Sequence, residues 1–141
     1  MKYLSILFVA MALEGQSANA RMVGSWTAQF DGRTFVRLEV KSTNGTLSGS
    51  ISLGNVEVDK NGALSKVGEA PQELTPIFDI TSTNTTLRFA RKDGRDTDRF
   101  ELKMAEAGRA ELQFLLTDRQ RQHLATDGIP DPKPFSLTRQ Q

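Results

Sequence analysis

The chain has 141 residues with 18 basic and 17 acidic side chains, one histidine and no cysteine, for a formal net charge of +1. Charges of both signs alternate along it without forming blocks, which excludes the electrostatic footprint of a protein that grips nucleic acid or an anionic membrane surface. The missing thiols exclude disulfides and cysteine-linked lipid, so stability is expected from burial and sheet pairing, with no staple or metal.

Residues 1–20 read as a cleaved signal peptide: Lys2 precedes an apolar run from Leu4 to Leu13, and Ala18-Asn19-Ala20 is the small-residue pattern of a cleavage site. The run stops at Glu14, about half the ~20 apolar residues that a spanning helix needs, so no stable membrane insertion is expected. The product is expected to be exported, to periplasm or medium, as a single domain over residues 21–141 and as a monomer. No internal repeat is visible beyond a rhythm of strands and turns.

The domain opens with Gly24-Ser25-Trp26, and Trp26, Ala28 and Phe30 alternate as in a first strand. Asp31-Gly32, Asn44-Gly45, Asn61-Gly62 and Asp93-Gly94 are dipeptides that accept positive φ at hairpin tips. After the first, Val36, Leu38 and Val40 alternate with Arg37, Glu39 and Lys41, which puts Phe35 on the outer face. After the second, Leu47, Gly49, Ile51 and Leu53 alternate with serines, with Gly49 at a bend. Val56 with Val58, Ile77 to Ile80, Leu87 with Phe89, Phe100 to Met104, Leu112 to Leu116 and Phe135 with Leu137 complete about eight or nine strands.

Sequential hairpins of this kind predict an all-β fold, an antiparallel up-and-down β-barrel closed by pairing the last strand with the first. The alternative is a β-sandwich. Two connections are longer, Ser65 to Pro76 and Asp118 to Pro134, and loops of such length are where binding residues gather. Asp118 to Ala125 is expected to form a short helix with Asp118 as its N-cap.

With Gly24-x-Trp26 on the first strand and Arg139 ending the last, the chain resembles the lipocalin-like, or calycin, group of small β-barrels. It is also similar to small exported bacterial proteins with a G-x-W start, an L-x-G-x-I hairpin (Leu47, Gly49, Ile51) and a P-F-x-L-T-R end (Pro134 to Arg139). The resemblance implies that Gly24, Trp26 and Arg139 form the barrel floor, with the guanidinium across the indole in a cation–π contact worth about 0.5–2 kcal/mol. It departs from the group at Thr117-Asp118, which Arg119 follows in place of the tyrosine of the Thr-Asp-Tyr motif.

No residues of this chain assemble a recognisable catalytic motif. His123 stands alone in a polar segment, no serine occupies a nucleophile-elbow pattern, and Glu73, Asp127 and Asp131 have no spacing that defines an acid pair. Asp93, Asp96 and Asp98 are interleaved with Arg91, Lys92, Arg95 and Arg99, the composition of a charged hairpin tip and not of a calcium loop. No catalytic residue, cofactor or metal is therefore expected, nor any nucleic-acid partner. An eight-stranded barrel has room either for its own side chains or for one small ligand. Under the second reading Phe89, Phe100 and Phe114 line the cavity, and the protein is a non-enzymatic binder of a small apolar or amphipathic molecule. Under the first it is a filled barrel that engages a protein or envelope partner through its two long loops.

Overall fold

A computed structural model describes residues 20–140. The signal peptide expected over residues 1–20 falls, apart from Ala20, outside the described residues. The strands are β1 (Gly24–Phe30), β2 (Arg33–Thr43), β3 (Thr46–Leu53), β4 (Val56–Val58), β5 (Leu64–Val67), β6 (Thr75–Ser82), β7 (Thr86–Asp93), β8 (Asp96–Glu106), β9 (Arg109–Phe114) and β10 (Phe135–Arg139), with helix α1 (Asp118–Thr126) before the last. Eight of them close a barrel in the order β1-β10-β9-β8-β7-β6-β3-β2, every neighbour antiparallel, which decides for the barrel over the sandwich. Closure through β1 and β10 leaves the barrel sheet without an open edge.

Turn chemistry explains the tight hairpins. Asp31 and Gly32 have φ of 53° and 76°, and Asn44 and Gly45 have 53° and 80°, the paired positive values whose twist matches that of the flanking strands. At the β7–β8 tip Asp93 pairs with Asp96, so the turn residues are Gly94 and Arg95, one position beyond the expected dipeptide. The β8–β9 turn uses Gly108, with φ of 75°.

Three sequence expectations need correction here. Phe35 is not on the outer face: it is 1% exposed and meets Phe135 edge-on at 5.3 Å. The register between β1 and β2 shifts there, Ala28 facing Val36 while Gln29 faces Thr34, so a bulge breaks the period of two and turns both Phe35 and Val36 inward. Val56–Val58 does not join the barrel either. It pairs with β5 in a separate two-stranded sheet, whose turn is held by the Asp59 carboxylate accepting from the backbone N–H groups of Asn61 (2.8 Å) and Ala63 (3.1 Å). The loop expected from Ser65 to Pro76 shrinks to the residues between Val67 and Thr75.

The barrel joins two runs of consecutive strands, β1–β3 and β6–β10, along two thin seams. On one, β3 meets β6 only at Ser50 opposite Pro76 and Ile51 opposite Thr75, and Pro76 brings no N–H to the ladder. On the other, β1 meets β10 at Trp26 opposite Arg139 and Thr27 opposite Thr138. Outlying bonds reinforce both: the Ser52 hydroxyl donates to the Pro71 carbonyl at 2.8 Å, and the Gln140 N–H to the Ser25 carbonyl at 2.7 Å.

Inside, Trp26, Phe35, Phe89, Phe100, Leu38, Ile51, Leu87, Leu102, Leu112 and Leu137 are nearly or fully buried in one continuous core. Among the described residues, no helix is long and apolar enough to cross a membrane.

Candidate functional site

Trp26 is fully buried near the barrel end where β1 begins. Its indole N–H donates to the Met22 carbonyl at 3.0 Å, which satisfies the one polar atom of an otherwise apolar plug. Arg139, directly across from it on β10, places its guanidinium carbon 5.2 Å from the indole centroid and donates to the Val23 carbonyl at 3.4 Å. Gly24 has φ of +138°, and a β-carbon there would come within 3.0 Å of Arg139 Cδ. The glycine of G-x-W thus serves the arginine, both by its backbone and by the space it leaves. Gly24→Ala is expected to cost about 1–3 kcal/mol, read from chemical denaturation.

A chain of aromatic rings runs through the barrel core toward the end opposite Trp26. Phe89 stacks on Phe100 at 5.4 Å, Phe100 meets Phe114 at 5.1 Å, Phe114 meets Phe135 at 5.7 Å, and Phe135 meets Phe35. Such offset and edge-on contacts at 4.5–7 Å are the preferred aromatic geometries. Of the three phenylalanines expected to line a cavity, Phe89 and Phe100 pack within the core, and only Phe114 reaches a surface opening.

That opening lies at the barrel end opposite Trp26. It is a cleft of about 950 Å³ whose lining includes Leu53, Val56, Val58, Phe114, Leu124 and Ile129, together with Glu57, Arg91 and Asp93. Ile129, at 39% exposure, is the one large apolar side chain exposed among the described residues. A second groove of about 720 Å³ runs beneath α1 on the far side of Leu124, between the helix and Asp96, Thr97 and Leu116.

The roof of the cleft is built from the two long excursions of the chain, the β4–β5 hairpin and the segment from α1 to Pro134. They meet where the Lys133 N–H donates to the Gly62 carbonyl at 3.0 Å. Gly62 has φ of +81°, and a β-carbon on it would stand 2.5 Å from the Asp131 carbonyl oxygen. Only glycine suits this junction. Asp131 also accepts from Arg121 of α1 at 3.1 Å.

Helix α1 begins differently from expectation. Its N-cap is Thr117, whose hydroxyl accepts from the Gln120 N–H at 3.1 Å while the Gln120 side chain accepts from the Thr117 N–H at 2.8 Å. Asp118 is thereby the first helical residue, and it complements the positive end of the helix without capping it. None of the helix residues is buried. His123 is exposed, with Nε2 3.9 Å from the Asp127 carboxylate one turn on.

Several other charged residues form ion pairs. Asp98 accepts from both Nε and Nη2 of Arg91 at 3.3 Å, Asp93 lies 3.9 Å from the same guanidinium, and Arg99 pairs with Asp79 at 3.3 Å. Among the described residues, no three side chains of metal-ligating type converge on one point. Asp127 and Asp131 are directed to His123 and Arg121, not to each other. The junction at Gly62 was missed by sequence reasoning, and its only local signal is the Asn61-Gly62 turn. Comparison with protein-family models, with curated proteins and with solved structures finds no match to this chain.

Proposed function

We propose that the protein is an exported, non-enzymatic, lipocalin-like barrel that binds a small apolar or amphipathic molecule at its mouth. The observation that carries this reading is the cleft itself: a concave space in which apolar side chains stand among polar ones, roofed by two excursions that the Gly62–Lys133 bond ties together. The seat lies above the aromatic chain, with Phe114 as its base, because the barrel interior is occupied by its own rings.

Neutral diphenylhexatriene, an apolar dye that brightens when it leaves water, is expected to bind saturably at one site per chain. Leu124→Glu with Ile129→Glu is expected to abolish that signal with little change in melting temperature, since neither side chain belongs to the core. No saturable binding by the unmodified protein would overturn the reading.

A specific observation also favours the filled-barrel alternative, a module that engages a protein or envelope partner: the interior carries an unbroken chain of ring contacts from Phe89 to Phe35. Its contact surface would be the same roof. Cross-linking from a single cysteine placed at exposed Arg119 would recover a discrete partner under that reading.

A further inference from the structure

Resting on the mouth cleft as the binding site, we infer that its ligand is a cation-bearing amphiphile, an alkyl- or aryl-ammonium in chemical class, and that acidic amphiphiles are rejected. The apolar part would lie on Val56, Phe114, Leu124 and Ile129, which face the same space. The charge selection comes from what stands among them.

Three charged side chains line the cleft, Glu57, Arg91 and Asp93. Arg91 alone would attract an acid, but its guanidinium is already engaged. Asp98 takes Nε and Nη2 at 3.3 Å, in a pair whose side chains are only 16% and 21% exposed, and Asp93 flanks it at 3.9 Å. A ligand carboxylate approaching Arg91 meets two aspartates that have answered its charge, and would have to displace one.

Glu57 has no ion-pair partner among the described residues. Its cross-strand neighbour Lys66 does not line the cleft; Lys66 and Arg33 share with Glu57 a neighbouring hollow on the hairpin. Among the lining residues one cation, Arg91, stands against the carboxylates of Glu57 and Asp93, and that cation is also paired with Asp98 outside the lining. A recessed site strengthens such a field relative to open water.

A matched set of probes separates charge from apolar fit: diphenylhexatriene bearing a trimethylammonium group, bearing no charge, or bearing a propionate. The ammonium probe is expected to bind on the order of tenfold more tightly than the propionate, with a preference that shrinks as salt rises. Glu57→Lys, an exposed position whose replacement leaves the barrel core intact, is expected to erase or reverse that order. Equal binding of all three probes, a propionate preference, or an unchanged order in Glu57→Lys would overturn the charge assignment while leaving the cleft as a binding site. Binding by none of the three would remove both readings together.

Discussion

Trp26→Ala is expected to lower stability by about 3–5 kcal/mol, the range for truncating a large buried aromatic residue, and the melting temperature by roughly 10–20 °C. Three losses coincide at this residue. The fully buried ring leaves a hole at the barrel end, the Met22 carbonyl loses its donor, and Arg139 loses the surface on which its guanidinium rests. Trp26 also faces Arg139 across the thin β1–β10 seam, so the void opens where the ladder is short. Trp26→Phe should retain part of the packing and cost about 1–3 kcal/mol, chiefly through the orphaned carbonyl. Thermal and denaturant unfolding of the two variants would check both values, and an unchanged melting temperature for Trp26→Ala would mean that this ring does not seal the barrel.

Phe100→Ala is expected to be nearly as damaging, again by about 3–5 kcal/mol, for a different reason. Phe100 touches Phe89 and Phe114 and lies 5.9 Å beneath the Arg91 guanidinium, so removing it cuts Phe89 off from the rest of the aromatic chain. The gap would be lined mainly by hydrocarbon, with the Arg91 guanidinium on one side, and a largely apolar void of that kind accepts a small apolar guest. Benzene is therefore expected to raise the melting temperature of Phe100→Ala and to leave the unmodified protein unchanged. A rise of equal size in both would show that the barrel interior already holds free space.

The barrel was legible in the sequence because its signals are local. Period-two alternation and positive-φ dipeptides act over a few residues, and they locate β1, β2, β3, β8 and β9 without reference to the rest of the chain. The features that misled are those in which distant residues intervene. Phe35 turns inward because of a bulge set by pairing with β1, and the short strand at Val56 leaves the barrel to pair with β5. Thr117 displaces Asp118 as N-cap because Gln120 lies three residues on, a capping-box signal present in the sequence and passed over. At the candidate site, the connection from Asp118 to Pro134 supplies part of the roof, but its partner there is the β4–β5 hairpin, which the connection expected from Ser65 to Pro76 overlaps only over β5. Their junction was hidden, since nothing near Gly62 announces that residues 131 and 133 will pack on it. Phe89 and Phe100 illustrate the same limit: alternation shows that they face inward, but not whether they meet each other or a vacancy.

The two thin seams also bear on how the chain can be cut. Each half of the barrel, β1–β3 and β6–β10, is an uninterrupted stretch of sequence, and the two are linked through a segment in which Gln72 and Glu73 are exposed. A chain severed between those two residues yields fragments that each keep their own hairpins intact, and what they must recover on mixing is little more than two short lines of hydrogen bonds and a shared core. The protein is thus laid out as a pair of complementing halves. Because Ser25 and Gln140 are already bonded neighbours, the same cut with a short linker joining Gln140 to Arg21 is expected to give a circular permutant that begins at Glu73 and keeps the same barrel.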